Sequence, residues 1–372
     1  MRTLMLEQID WMAEGAQVLG AGGGGSAYLA SLALKRLVRA GAEVQVVETG
    51  ELEAEAVGPV LSGMGAPTVG IERLPTAGRY KALVDAVRST MPAPVTFVAI
   101  GEIGGGNAIT PLVAAAESCL PVVDADPMGR AFPELQMDTY MIEGLLPQPL
   151  FLHDGKNVVV TMQGIEDPKT AERYARALTW AMGGSAGLVL PVVSGAQVRQ
   201  HAIAGTLSLT EAIGRAMDRA RRNKEATADA ILSVVPAGRH LFEGKIVDVT
   251  RRTAAGFARG TIVIDGLERF RGRQLEVEFQ NEYLMARDRD AHSEDVLLTV
   301  PDLLVLLEEE SGQALGSEAV RYGLRVQVLG LPAANELKTP RALSFVGPQA
   351  FGYDVAFQPM DGDLLGRSRS FA

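Results

Sequence analysis

Two apolar runs, each ending in a glycine-rich or charged loop, constrain the fold of this 372-residue chain more than any other feature. Residues 95–100 lead into the loop GEIGGGN at 101–107, and residues 120–123 lead into DADPMGRAFPELQM at 124–137. A helix-like stretch at 109–118 separates them, which is the order of a parallel strand–helix–strand unit. Because the carboxyl ends of parallel strands meet at one edge of a sheet, we expect the two loops to lie side by side.

The loop at 124–137 is rigid and rich in charge. Two prolines and a glycine exclude a regular helix through most of it, so its charged groups are held at the end of a strand. We predict that Asp124, Asp126 and Arg130 line the main pocket. Further polar candidates near them are Glu102, Asn107, Asn281 and Glu282. The structural alternative is an acidic surface loop with one internal ion pair.

A glycine run near the N-terminus offers backbone donors to an anion. It precedes a predicted amphipathic helix at 26–39 with Ser26 as its N-cap, a position that favours a carboxylate or a developing negative charge. We assign substrate binding to the glycines Gly22, Gly23, Gly24, Gly25, Gly105 and Gly106, and to the side chains of Asn107, Arg130 and Asn281. No Lys-Ser or Lys-Thr pair follows the run, which excludes a nucleoside-triphosphate P-loop.

The same run also fits a dinucleotide fingerprint. Gly20, Gly22 and Gly25 have the spacing G-x-G-x-x-G, and Glu48 follows the next predicted strand, where a ribose hydroxyl would be held. This reading requires a short strand directly before the glycines. It leaves a dinucleotide-dependent oxidoreductase as an alternative function.

The composition excludes several functional classes. The formal net charge of −10 disfavours nucleic acid and anionic membranes as partners. The single cysteine, Cys119, cannot form an intramolecular disulfide, which fits a reducing compartment and excludes a Cys-rich zinc site. Glu7 and Asp10 interrupt the N-terminal region, and no apolar run of about 18 residues occurs. We therefore predict a cytoplasmic protein with a small-molecule substrate and without a spanning helix.

The pattern of elements predicts a two-domain α/β protein. Residues 1–235 alternate apolar strands and helices, as in a three-layer parallel-sheet domain with Gly-rich loops. Beyond Pro236, short β-rich runs separated by turns indicate a mainly β, barrel-like domain at 236–362. One helical-looking piece at 301–310 interrupts it, and residues 363–372 are predicted to form a loose tail.

The chain resembles the S-methyl-thiohydantoin desulfurase-like family. The resemblance is carried by the glycine run, the 124–137 loop, FEGKIVDV at 242–249, FQNE at 279–282, VPDL at 300–303 and GP at 347–348 with FGY at 351–353. It implies removal of a sulfur substituent from a hydantoin-like ring or a related small cyclic amide. It also implies association with hydantoinase- or oxoprolinase-type enzymes, so a non-catalytic accessory subunit is an alternative. We expect a homo-oligomer.

Such a reaction needs a base for water, an acid for the leaving thiol and donors for the developing charge. We predict Asp124, Asp126 and Glu102 as the catalytic carboxyls, since two close carboxylates raise the pKa of one of them. Arg130 is predicted to clamp a substrate carboxylate. The mechanistic alternative is a divalent metal held by Asp124, Asp126 and His201.

Overall fold

The computed structural model of the protein describes residues 1–65, 69, 76–254, 256–290 and 293–367. In this part of the chain the α-helices are α1 (Leu6–Leu19), α2 (Ala27–Arg39), α3 (Arg79–Thr90), α4 (Gly106–Ser118), α5 (Thr139–Ile142), α6 (Pro168–Ala181), α7 (Gly195–His201), α8 (Thr206–Asn223), α9 (Thr227–Val234) and α10 (Pro340–Val346). The first strands are β1 (Arg2–Thr3), β2 (Gln45–Val47), β3 (Val57–Gly65), β4 (Ala99–Ile100), β5 (Val122–Val123), β6 (Ala125–Asp126), β7 (Leu150–His153), β8 (Val159–Met162), β9 (Ser185–Ser194) and β10 (Ile203–Ala204). The later strands are β11 (Arg239–Ala254), β12 (Phe257–Gly266), β13 (Gln274–Gln280), β14 (Glu282–Asp290), β15 (Ser293–Thr299), β16 (Leu303–Glu308) and β17 (Arg325–Leu331).

Two sheets of the N-terminal half join edge to edge. Their orders are β1-β2-β5 and β4-β3-β9-β7-β8, with parallel pairs β2–β5 and β3–β4 and antiparallel pairs on either side. A parallel bridge between Val98 and Val122 connects them, and the N–H of Val123 donates to the carbonyl of Val98 at 3.0 Å. The prediction that residues 95–100 and 120–123 are adjacent and parallel is confirmed.

Helix α1 runs to Leu19 and occupies the place of the strand that a dinucleotide fingerprint requires before the glycine run. Gly15 is a packing position inside this helix. A Cβ at Gly15 would lie 1.9 Å from the carbonyl oxygen of Thr210, and one at Gly214 would lie 1.8 Å from that of Trp11. The glycines therefore let α1 and α8 cross with their backbones in contact, and α1 continues to Leu19.

The C-terminal region is a curled antiparallel half-barrel of seven strands, ordered β15-β14-β13-β12-β11-β17-β16. The helix predicted at 301–310 is wrong, because β16 occupies this stretch and pairs with β17. Its residues from Leu303 to Leu307 are all buried, and a fully buried run carries no periodicity that separates a strand from a helix.

One hydrophobic core extends through both regions. The same cluster contains Ile9 and Ile213 from the helices and Leu303 and Leu329 from the half-barrel. The domain limits at 235 and 362 stay a prediction. Among the described helices none is long and apolar enough to cross a bilayer.

Candidate active site

A cleft of about 410 Å³ lies between the glycine loops and the half-barrel. Its walls come from the α1–α2 junction, the β4–α4 loop, the 124–137 loop, strand β9 and the β13–β14 turn. A volume of this size suits a small organic ligand. Polar side chains on its walls include Arg79, Glu102, Asn107, Asp138, Arg176, Asn281, Glu282 and Glu318.

Glu102 follows β4 and is 5% exposed. The Nδ2 of Asn107 donates to its Oε1 at 2.9 Å, and the N–H of Phe132 donates to its Oε2 at 3.3 Å. Burial raises the pKa of Glu102 to about 7, against these two hydrogen bonds, and the charge of Asp126 raises it further. Glu102 is thus a fixed carboxyl that changes protonation near neutral pH.

Glu282 begins β14 and is 3% exposed. Its Oε2 has no hydrogen-bond partner among the residues that the structure describes. Burial raises the pKa of Glu282 well above its ordinary value, and the charge of Glu102 raises it further. A Cβ at Gly23 would lie 1.9 Å from Oε1 of Glu282, so only glycine fits beneath this carboxyl. The two carboxyls Glu102 and Glu282 therefore share one cleft, and the charge of Glu102 disfavours the ionised form of Glu282.

The predicted glycines divide into packing positions and cleft donors. Gly22 packs under the ring of Tyr283, where a Cβ would lie 2.7 Å from the ring, and Gly23 packs against Glu282. Gly24 and Gly25 line the cleft, and their N–H groups have no acceptor in the described part of the chain. These two residues are the ones that can donate to a ligand.

The glycines of the second loop do not offer the predicted donors. The N–H of Gly105 donates to the carbonyl of Ala16 at 2.7 Å, and that of Gly106 donates to the carbonyl of Gly25 at 3.0 Å. A Cβ at Gly105 would lie 2.3 Å from that same carbonyl oxygen. These glycines instead allow the two loops to pack backbone to backbone.

Asn107 and Asn281 both line the cleft but have protein partners. The Oδ1 of Asn107 accepts from the N–H of Gly63 at 3.0 Å, while its Nδ2 holds Glu102. Asn281 has a φ of 59° and exchanges hydrogen bonds with Ala258, accepting from its N–H at 2.9 Å. Asn107 therefore orients Glu102, and Asn281 fixes the turn that presents Glu282.

Asp124 and Asp126 do not line the cleft, contrary to the expectation from sequence. Asp124 accepts from the N–H and the hydroxyl of Ser208 and thereby caps α8. The Oδ2 of Asp126 accepts from the N–H groups of Ile103, Met128 and Gly129 at 2.9–3.1 Å. Asp124 thus satisfies a backbone donor of α8 and Asp126 satisfies donors of the two loops, and both support the wall of the cleft without lining it.

Arg130 is also behind the wall of the cleft and is 0% exposed. Its Nε donates to the carbonyl of Ala131, and its Nη atoms donate to the carbonyls of Pro301, Asp302 and Tyr283. Its donors are committed to the backbone, so the predicted clamp on a substrate carboxylate is not formed. Its charge still lowers the pKa of both Glu102 and Glu282 against the larger effect of burial.

Family models of the S-Me-THD-like N-terminal and C-terminal domains match residues 7–164 and 166–360. The chain belongs to the S-methyl-thiohydantoin desulfurase-like family. No protein of curated description matches it. An X-ray crystal structure of a protein from Chromobacterium violaceum has 25% sequence identity and a TM-score of 0.81, and the alignment covers 97% of this chain and 100% of that one.

In this member of the S-methyl-thiohydantoin desulfurase-like family the cleft is built from both family domains. Glu102 belongs to the N-terminal one and Glu282 to the C-terminal one. The glycine run follows a helix and Glu48 is exposed beside a short turn, so the strand context of a dinucleotide fingerprint is missing.

The predicted metal site at Asp124, Asp126 and His201 is not assembled. Within the described ranges no group of three or more His, Cys, Asp and Glu side chains could hold a metal ion. Asp124 and Asp126 face backbone donors, and His201 is the last residue of α7, where burial lowers its pKa.

Two arginines of the cleft, Arg79 and Arg176, were missed by the sequence reasoning. Arg176 donates from Nε to Glu172 and from Nη2 to the carbonyl of Pro133, and its guanidinium lies 4.1 Å from the ring centre of Phe257. Its charge lowers the pKa of Glu282. Both arginines lie on helices distant in sequence from the loops, and no local motif marks them.

Proposed function

We propose that the protein is a hydrolase-like desulfurase that acts on an S-substituted thiohydantoin or a related small cyclic amide. Family membership supports the substrate class. The observation that carries the proposal is the pair of buried carboxyls, Glu102 and Glu282, which face one cleft with raised pKa values. A concave site with poised carboxyls favours an enzyme over an accessory subunit, for which a flat apolar surface is expected.

The two carboxyls suit opposite roles. Both oxygens of Glu102 accept hydrogen bonds, which supports its ionised form, so we assign it as the base that takes a proton from water. The Oε2 of Glu282 accepts no hydrogen bond from the described residues that would support the ionised form, and burial raises the pKa of Glu282 well above its ordinary value, so we assign it as the acid.

The reaction then proceeds by addition and elimination. The oxygen of water bonds to the ring carbon that carries sulfur while Glu102 takes one proton of the water, and the electron pair of the ring C=N bond moves to nitrogen. That pair re-forms the C=N bond as the carbon–sulfur bond breaks, and Glu282 gives its proton to the departing thiolate. The hydroxyl proton of the resulting iminol then moves to the ring nitrogen, and the proton on Glu102 passes to Glu282, which restores both carboxyls. The products are a hydantoin and a thiol. The N–H groups of Gly24 and Gly25 and the guanidinium of Arg176 are candidate donors for the developing negative charge.

The test is thiol release from an S-methyl thiohydantoin by the purified protein, followed with a thiol reagent and with mass detection of the hydantoin. We expect Glu102→Gln and Glu282→Gln each to lower kcat by about a hundredfold or more, since an amide cannot transfer the proton. Glu43→Gln is the matched control, because Glu43 is exposed and away from the cleft. Absence of thiol release by the native protein, or full turnover in both cleft variants, would disprove the proposal.

The expected partners are a separate matter. A homo-oligomer and a hydantoinase- or oxoprolinase-type companion stay predictions. Co-purification of the intact protein with such an enzyme, together with no turnover by the isolated chain, would favour the accessory role.

A further inference from the structure

A second cavity lies on the half-barrel, apart from the cleft. It crosses strands β11, β12 and β13 and has a volume of about 490 Å³, and none of the described residues lines both it and the cleft. Its polar lining residues are Thr250, Arg251, Arg252, Arg259, Thr261, Glu278, Gln280 and Tyr353. Arg252 is the cross-strand partner of Arg259, and Arg259 is the cross-strand partner of Gln280. These three side chains therefore form one row across the same face of the sheet.

The two arginines of this row repel each other. Arg252 and Arg259 stand directly opposite on neighbouring strands, an arrangement that destabilises a sheet when the charges are alike. Among the residues that the structure describes, no carboxylate forms an ion pair with either guanidinium. The acid of the cavity wall, Glu278, instead pairs with Arg287 at 3.6 Å. The row thus carries two positive charges that the protein does not neutralise.

Gln280 adds a buried donor without an acceptor. It is 5% exposed, and its Nε2 has no hydrogen-bond partner in the described part of the chain. A buried amide donor left unpaired costs free energy, and an acceptor on a ligand would remove that cost. Because Gln280 stands beside Arg259 in the row, its amide and the two guanidiniums can act on one ligand.

We propose that this cavity binds a phosphate group, either as free phosphate or as a phosphate monoester. Two neighbouring guanidiniums match a dianion, and each donates two parallel hydrogen bonds to phosphate oxygens. A phosphate group has a further oxygen for the amide of Gln280, whereas a carboxylate has two oxygens and a single charge. The site is independent of the cleft and of the reaction proposed for it.

Titration calorimetry of the intact protein with inorganic phosphate, phenyl phosphate and benzoate tests the ligand class. We expect both phosphates to bind the native protein and benzoate to bind at least about tenfold more weakly. Tighter binding of phenyl phosphate identifies a monoester as the ligand, and equal or tighter binding of inorganic phosphate identifies the free ion. Failure of both phosphates to bind, or binding of benzoate as tight as that of phosphate, overturns the proposal.

Substitutions test the location of the site. Arg252→Gln and Arg259→Gln are each expected to weaken phosphate binding about tenfold or more, and Gln280→Leu several-fold. Arg271→Gln is the control and binds phosphate as the native protein does, because Arg271 is exposed in the turn between β12 and β13. Unchanged binding in both Arg252→Gln and Arg259→Gln would place the anion elsewhere and overturn the site.

Thermal denaturation gives a second readout that does not depend on Gln280→Leu folding. A ligand that binds only the folded state raises Tm. We expect phosphate to raise the Tm of the native protein above its value in sodium chloride of equal ionic strength. The same addition should leave the Tm of the double variant Arg252→Gln, Arg259→Gln unchanged. An equal rise in the native protein and the double variant would contradict the assignment.

Discussion

At the scale of single residues, the cleft holds charges in positions that oppose stability. Glu102 and Glu282 are both buried, which raises the pKa of each, and the charge of Glu102 raises the pKa of Glu282 further. Arg130 offsets part of this through its charge, although its donors serve backbone carbonyls. Carboxyl groups with strongly perturbed pKa values occur mainly at functional sites, so the burial of these two supports a catalytic role for the cleft.

The unfavourable burial of the Glu102 carboxylate predicts that the stability of the protein depends on pH. The pKa of Glu102 is about 7 in the fold and near 4.5 when unfolded, so the folded state holds the proton more tightly. The stabilisation is therefore complete below about pH 4.5 and is lost as the pH rises through about 7. We expect Glu102→Gln to raise Tm relative to the native protein at pH 8 and to raise it less at pH 5.

Thermal denaturation at several pH values measures this difference. The exposed control Glu43→Gln is expected to follow the native protein at every pH. A difference between Glu102→Gln and native that does not change between pH 5 and pH 8 would mean that Glu102 does not titrate differently in the fold.

At the scale of elements, the two aspartates of the charged loop at 124–137 mainly accept hydrogen bonds from backbone N–H groups. Asp124 caps α8 through the N–H of Ser208, and Asp126 collects three N–H groups from two loops. Loop and helix-end N–H groups have no partner in their own segment, and a buried one costs free energy unless an acceptor is supplied. The loop can therefore turn sharply beside the cleft and still be buried.

Paired substitutions at Asp124 distinguish a cap from a catalytic base. Asparagine caps nearly as well as aspartate, so Asp124→Asn is expected to unfold near the native urea midpoint, whereas Asp124→Ala loses about 0.5–2 kcal/mol. Turnover of an S-methyl thiohydantoin should be unchanged in both folded variants. A hundredfold loss of kcat in Asp124→Asn at native stability would instead restore the catalytic role predicted from sequence.

Local chemistry explains which elements were predictable from sequence. Ser26 accepts from the N–H of Tyr28 at the start of α2, as its sequence position indicated. Asp167 caps α6 in the same way, with Pro168 in the first turn. These devices act within a few residues, so neighbouring sequence is enough to recognise them. The crossing of α1 over α8 is different, because Gly15 is read correctly only when its partner helix is known.

The candidate site was less predictable because it depends on partners distant in sequence. Glu102 and Asn281 were chosen as polar groups at strand ends, and both reach the cleft. The same rule chose Asp126 and Arg130, whose side chains turn to the backbone instead. Sequence indicates where polar groups leave a strand, whereas tertiary packing decides whether they meet a ligand or an unpaired main-chain group.

At the scale of the whole molecule, Arg130 and a shared core tie the two halves together. Arg130 reaches from the 124–137 loop to the carbonyls of Pro301, Asp302 and Tyr283 in the half-barrel region. The cluster that contains Ile9 of α1 also contains Leu303 of β16, and these two elements pack against each other. The cleft carboxyls come from the two sides of this junction, so their mutual position depends on it.

The shared core predicts that the intact chain unfolds in one cooperative transition in scanning calorimetry, with equal calorimetric and van't Hoff enthalpies. Arg130→Met should lower the Tm of that transition, since each buried carbonyl left without a donor costs about 1–3 kcal/mol. Arg215→Met, an exposed arginine on α8, should leave it unchanged. Two separate transitions in the native protein would show that the predicted units 1–235 and 236–362 fold independently. In that case Arg130 would connect two preformed domains, and Arg130→Met would lower the Tm of the less stable one.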